Sequence, residues 1–287
     1  MDAVLPVLIC VLVGFALARL DQPFDHGMVG RLVANIGYPT LVLAHLSDQR
    51  VTVGAFLEIV LAAAAAVACF GVIGSGFLIA LGLPIRAFLP PLMLNNVGNI
   101  GLPVSIFAFG DQGLAYALAF LVVVVVGIFT VGIWVPQGRV SFRDLARTPV
   151  IYAVVITLVL MATDTRLPTP IDDAFTILGG LAIPLMLLTL GHTLGTLRTG
   201  ALWRGCYVAL FHLAMGAAVA FALVHLFDLE GTARGVFILQ CVMPVSVATY
   251  LYIEMYQKEH AQEVAGLILI STLLSMVVLP LVLTFWI

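Results

Sequence analysis

The sequence predicts an all-α integral membrane protein, with ten transmembrane helices arranged as an inverted repeat of five and five and one broken helix in each half. Three observations predict it. Apolar residues make up 62% of the 287-residue chain and charged residues 9%, against roughly 45–50% and about 25% in a soluble domain. Such a chain cannot cover a globular surface with polar groups, so lipid is the solvent around most of it. Ten apolar segments follow one another with short connections, and prolines recur at matching places in the two halves.

The segments run 3–20, 29–46, 53–82, 86–109, 112–134, 149–163, 171–191, 199–226, 232–256 and 262–286. The start, MDAVLPVLIC, lacks the basic residues of a cleaved signal peptide and reads as a retained first span. The second segment carries Tyr38-Pro39-Thr40-Leu41, echoed in the seventh by Ile183-Pro184-Leu185-Met186. The fourth lies in a run from Ala87 to Gly110 without a charge, long enough to cross a bilayer. Its centre nevertheless holds Asn95, Asn96, Asn99, Gly98, Gly101 and Pro103. Proline lacks an N–H and glycine makes leaving the helix cheap, so a discontinuous helix is expected there. The ninth repeats the pattern at Pro244, in CVMPVSVATY. Pro39 and Pro184 are 145 residues apart and Pro103 and Pro244 are 141 apart, so the register is nearly constant.

The connection from Pro136 to Thr148 divides the chain into repeats 1–135 and 149–287 within a single membrane domain, 1–287. Five spans is an odd number, so the second half enters from the opposite side. One side then receives Arg19, Arg31, Arg86, Arg139, Arg143, Arg147, Arg198, Arg204 and Lys258, and the other Arg50, Arg166 and Arg234. The richer side belongs in the cytoplasm, which places both termini outside the plasma (bacterial inner) membrane. A net charge of −3 without a basic tract argues against nucleic acid. Cys10, Cys69, Cys206 and Cys241 stand singly in apolar runs, and Asp172-Asp173 has no acidic counterpart, so no metal site is expected.

Interrupted helices at corresponding positions are the sequence pointer to a carrier's binding site. If Pro103 and Pro244 open the second half-helices, free amides at Val104, Ser105 and Ile106, and at Val245, Ser246 and Val247, make an anion site without lysine or arginine. The preceding carbonyls, near Val97–Ile100 and Gln240–Met243, suit a cation or donor groups of a solute. The expected solute site therefore comprises Asn95, Asn96, Asn99, Gly101, Pro103, Ser105, Gln240, Pro244, Ser246 and Thr249, and the expected solute is a small organic anion, a carboxylate. His212, near the middle of the eighth segment, is the candidate for proton coupling, with a neutral packing histidine as the other reading. No cofactor is expected beyond H+ or Na+ as a coupling ion.

The chain resembles the auxin-efflux-carrier family of permeases. The resemblance rests on Asn96 with Gly101-Leu102-Pro103 in the fourth segment and on Met243-Pro244 followed by Tyr256 in the ninth. It implies the fold of bile-acid symporters and sodium/proton antiporters, in which two broken helices cross at their prolines. It also implies a scaffold of spans 3–46 and 149–191, usually a homodimer, beside a mobile bundle of spans 53–134 and 199–286. Bacterial relatives often carry Asn just before the Thr-Tyr pair of the ninth span; here Ala248 removes that hydrogen-bonding group.

The alternative on the same fold is a cation/proton-coupled exchanger or symporter; exchange chemistry wants a buried carboxylate near the breaks. None occurs between Arg86 and Gly110 or between Gly235 and Ile253. An enzyme is not expected, because HExxH and a paired acidic motif do not occur, and direct ATP drive is excluded because GxxxxGK[ST] does not occur.

Overall fold

Because unpaired backbone is costly in hydrocarbon, apolar segments of this length must satisfy their amides internally, as helices. A computed structural model describes residues 5–46, 51–138, 147–163, 165–196 and 202–286. Among these residues all regular secondary structure is helical, with no strand longer than a single bridge. Five helical stretches are long and apolar enough to cross a membrane: Val53–Ala80, Val97–Gln137, Thr169–Thr196, Leu202–Leu226 and Lys258–Phe285. Large apolar side chains such as Val72, Ile177, Phe221 and Phe285 stand exposed along them, a surface that only lipid can solvate. This is an integral membrane protein. Arg50, Arg139, Arg143 and Arg198, most of the central connection, and the His45 side chain lie outside the described residues.

In order, the helices are α1 (Leu5–Arg19), α2 (His26–Leu32), α3 (Tyr38–Leu46), α4 (Val53–Ala80), α5 (Ile85–Met93), α6 (Leu102–Phe129), α7 (Val131–Gln137), α8 (Pro149–Ala162), α9 (Thr169–Gly180), α10 (Ala182–Thr196), α11 (Leu202–Leu226), α12 (Gly231–Cys241), α13 (Tyr250–Tyr256) and α14 (Ala261–Phe285). Two prolines are prepared for in the same way. A five-residue π turn, Val33–Gly37, precedes Tyr38-Pro39, and another, Val97–Gly101, precedes Leu102-Pro103. A proline ring strikes the carbonyl four residues back, and a π turn, by adding a residue, moves that carbonyl aside. Pro184 is accommodated differently: the helix stops at Gly180, turns at Leu181 and restarts with the proline in its first turn. That interruption of the seventh segment was not expected. Within α6, Gly110 takes φ 65°, which separates the fourth apolar segment from the fifth.

The helices form two compact units, each assembled from three stretches of chain. The first comprises Met1–Val60, Gly98–Val122 and Ala146–Thr196. Here α1 lies along α10, and glycine sets their closeness: a Cβ on Gly14 would strike the Leu188 backbone, and one on Gly191 the Val11 carbonyl and Phe15 amide. Gly179 brings α9 equally close to the backbone of Thr40–Leu41 in α3. Small residues at helix contacts let backbones approach where lipid supplies no hydrophobic drive. Hydroxyls on these helices return to their own backbone, as Thr40 to Ile36 O at 2.7 Å and Thr193 to Thr189 O at 2.8 Å. At one end of this unit, His26 and His192 share a hydrogen bond of 2.8 Å, and Phe24 stacks on His192 with ring centres 4.7 Å apart.

The second unit comprises Leu61–Val97, Val123–Leu145 and Leu197–Ile287. Its spine is α11 against α14, in contact where Gly205 meets the backbone of Gly266 and Leu267, with Arg204 and Glu263 paired at 2.8 Å nearby. Phe77 stacks on Phe211 at 3.6 Å, over a core that includes Leu78, Phe88, Leu92, Val208 and Leu267.

Two outcomes follow from the first unit. Gly191→Val should lower stability by roughly 1–3 kcal/mol through overpacking, read as the melting temperature in detergent, whereas Gly54→Ala, with open space around it, should not. Burial and the neighbouring His192 ring hold His26 below the usual imidazole range, with Asp25 pulling the other way. The unfolded chain therefore takes up a proton at His26 more readily than the folded one, and stability should fall as pH drops below about 6.5. The melting temperature of His26→Gln should fall less between neutral and acid pH than that of the wild type.

Candidate functional site

The polar residues of the fourth and ninth segments gather where their helices stop. After α5 the chain leaves the helix at Leu94 and runs extended through Asn96. Pro90 and Pro91 lie inside the preceding helix, and the Leu94 amide still donates to Pro90 O at 3.1 Å before the backbone turns extended. In the ninth segment α12 ends at Cys241, and helix does not resume until Tyr250. The two gaps face each other. Asn95 and Val245 form an antiparallel bridge, the Asn96 amide donates to Pro244 O at 2.8 Å, and the Ser246 amide donates to Pro91 O at 3.4 Å. Backbone groups that would be orphaned in either helix thus pair across the interruption.

Side chains complete the junction. The Asn95 amide donates to both Gln240 O and Cys241 O, each at 2.9 Å, and closes the carbonyl end of α12. Its Oδ1 lies 3.0 Å from His212 Nε2 on α11. Thr249 Oγ1 donates to Ser246 O at 2.9 Å and steadies the turn before α13. Asn95, Asn96, Gln240, Ser246, Thr249 and His212 are all at most 4% exposed. The Asn96 Nδ2 is buried and has no hydrogen-bond partner.

Several expectations need correction. Pro103 does not open a half-helix: the break lies at Leu94–Asn96, and helical structure resumes with the π turn at Val97. The amides of Val104, Ser105 and Ile106 therefore lie inside a helix. Nor does Pro244 open one, because α13 begins six residues later and the Ser246 amide is already engaged. In both cases neighbouring chain supplies the carbonyl partners, so the proline need not sit at the first turn. The carbonyls of Gln240 and Cys241, expected to hold a cation or a solute, are held by Asn95. Of the candidate residues, Asn95, Asn96, Gln240, Pro244, Ser246, Thr249 and His212 share the second unit, whereas Asn99, Gly101, Pro103 and Ser105 follow Val97 in sequence and belong to the first.

Other residues that build the junction were missed. A Cβ on Gly216 would strike the Cys241 carbonyl, so this glycine, one turn beyond His212, is what lets α11 reach the end of α12. The Leu94 side chain fits against Gly127 and Gly132. In the first unit, Gly98 leaves room for the Tyr38 hydroxyl. The spacing of His212 and Gly216, which puts both on one helix face, was the available signal.

Asn95→Leu should cost roughly 1–3 kcal/mol by stripping two buried carbonyls of their donor, and Gly216→Ala a similar amount by prising α11 from Cys241. Asn96→Leu, whose Nδ2 has no bond to lose, should cost less. Thermal unfolding of the three variants in one detergent checks the order.

Residues 135–283 match the family described as membrane transport protein. The chain is 27% identical over 201 residues to an uncharacterized transporter of Methanocaldococcus jannaschii, a match covering 66% of this chain and 64% of that protein. It is 26% identical over 303 positions to an uncharacterized transporter of Methanothermobacter thermautotrophicus, covering 98% of this chain and 96% of the relative. With residues 135–283, more than half its length, matched, the chain belongs to the membrane transport protein family, that of the auxin-efflux-carrier permeases.

Proposed function

We propose that this chain is a secondary carrier that moves a small organic anion, a carboxylate, across the plasma membrane by alternating access of the elevator type. The observation that carries the proposal is the Asn96 side-chain amide, whose Nδ2 is a buried donor without a partner, beside two interrupted helices. A buried unpaired donor costs on the order of 1–3 kcal/mol. A solute oxygen accepting from Asn96 Nδ2 would recover it. Charge-assisted hydrogen bonds are stronger than neutral ones, so a carboxylate gains most from such a donor. Ser246 and Thr249 line the same interruption and supply hydroxyls, and Asn99, Gly101, Pro103 and Ser105 continue the chain that leaves it.

The proposal extends to a ten-span inverted repeat with both termini outside, and to a homodimer formed through the scaffold spans. An anion carried with its charge is driven outward by the membrane potential, at about 2.3 kcal/mol per charge per 100 mV, so export needs no coupling ion and import needs H+ or Na+. Exchange of cations for protons is the second reading. It is disfavoured because Asn95, not a carboxylate, meets the carbonyls of Gln240 and Cys241.

Thermal-shift measurements against mono- and dicarboxylates and indole acids, with and without sodium, test the proposal. A ligand raises the melting temperature by mass action. One carboxylate should do so without sodium, and Asn96→Ala should weaken its binding roughly tenfold or more, the worth of a hydrogen bond to a charged group, while the ligand-free protein melts as before. A shift obtained with sodium alone would favour the cation reading.

A further inference from the structure

The Asn95 side chain can point only one way. Two carbonyls, Gln240 O and Cys241 O, lie 2.9 Å from one of its terminal atoms. A carbonyl can only accept, so that atom is the NH2 group and both of its hydrogens are used. The other terminal atom is then an oxygen, and it lies 3.0 Å from His212 Nε2. An unprotonated Nε2 there would set lone pair against lone pair, so the hydrogen of the ring sits on Nε2. Among the described residues, Asn95 is the polar group that His212 touches, Phe70 is the aromatic ring beside it with centres 6.3 Å apart, and no charged side chain acts on it. A second proton, on Nδ1, would place a charge at a site only 2% exposed, without a counter-ion.

We propose that His212 is a positioning residue: as a neutral imidazole with its hydrogen on Nε2, it holds the Asn95 amide in the orientation that ties the interrupted fourth and ninth segments together. Without that donor, Asn95 Oδ1 is left buried with no partner, and the amide loses the contact that braces it from behind while its NH2 group covers the two carbonyls. The cap on the end of α12 is weakened accordingly. Gly216 belongs to the same device, because its missing side chain is what brings the α11 face bearing His212 up to the Cys241 carbonyl. The ring is a fixed donor and not a shuttle for protons, in contrast to the coupling role that its place in an apolar segment suggests. The assignment does not depend on which solute is carried.

The test uses the full chain in detergent. Gln at position 212 carries an amide donor at about the reach of Nε2, and Leu fills a similar volume without one. His212→Gln should melt close to the wild type and His212→Leu several degrees lower. In the Asn95→Leu background the advantage of Gln over Leu should vanish, because the acceptor is gone. In protein labelled with 15N-histidine, the signal that His212→Gln removes should be that of a neutral ring protonated at Nε2, unchanged from about pH 5.5 to 8, the range in which a free imidazole titrates. The profile of melting temperature against pH should be the same in wild type and His212→Gln. A ring that titrates in this range, a hydrogen found on Nδ1, or His212→Leu as stable as His212→Gln would overturn the assignment. If His212→Gln does not fold, the wild-type spectrum compared with that of His212→Leu decides between the fixed and the titrating ring.

Discussion

Backbone amides and carbonyls in hydrocarbon have no water to turn to, and each one left alone costs several kcal/mol. That constraint explains why the interruptions of the fourth and ninth segments are found as a pair. The Asn96 amide meets Pro244 O, the Ser246 amide meets Pro91 O, and the Asn95 side chain covers two carbonyls at the end of α12. Neither gap would be tolerable with the other segment kept as a regular helix. The polar character of residues 94–96 and 240–249 is therefore a structural requirement first. Asn96 Nδ2 takes no part in this pairing.

The existence of the breaks was legible in the sequence and their location was not. Asparagine, glycine and proline within a chargeless run say that the helix cannot continue, because each in its own way weakens the i to i−4 ladder. They do not say which residue leaves it. Pro103 looked like the first residue of a new half-helix; the chain instead resumes at Val97 and takes the proline in stride with a π turn. The adjacent Pro90-Pro91 pair, inside the helix that stops just beyond it, drew no notice because an apolar flank surrounds it. Leu181 was equally invisible, since a leucine carries no turn signal of its own.

Glycine contacts were hard to foresee for a related reason. Gly191, Gly205 and Gly216 each sit where a neighbouring backbone occupies the space of a Cβ, but the sequence shows only a small residue among many. Which helix lies opposite is a long-range fact. His212 illustrates the same limit at a polar residue. Its position in an apolar segment was evident, and so were both of its readings, but the choice between them turns on the Asn95 amide 117 residues away.

The two π turns have a further bearing on how this sequence can vary. Each holds one residue more than the α-helix around it would need, and successive residues of an α-helix are rotated by about 100°. Five residues wound i to i+5 turn through roughly the same angle as four α-helical residues, so the bulge takes up its extra residue locally and the side chains from Leu102 to Phe109 face as they would after an ordinary α turn. The surplus residue is absorbed where it stands: losing it would close the turn to an ordinary α turn and leave the face beyond it unchanged, at the cost of bringing the carbonyl four residues before the proline back against its ring.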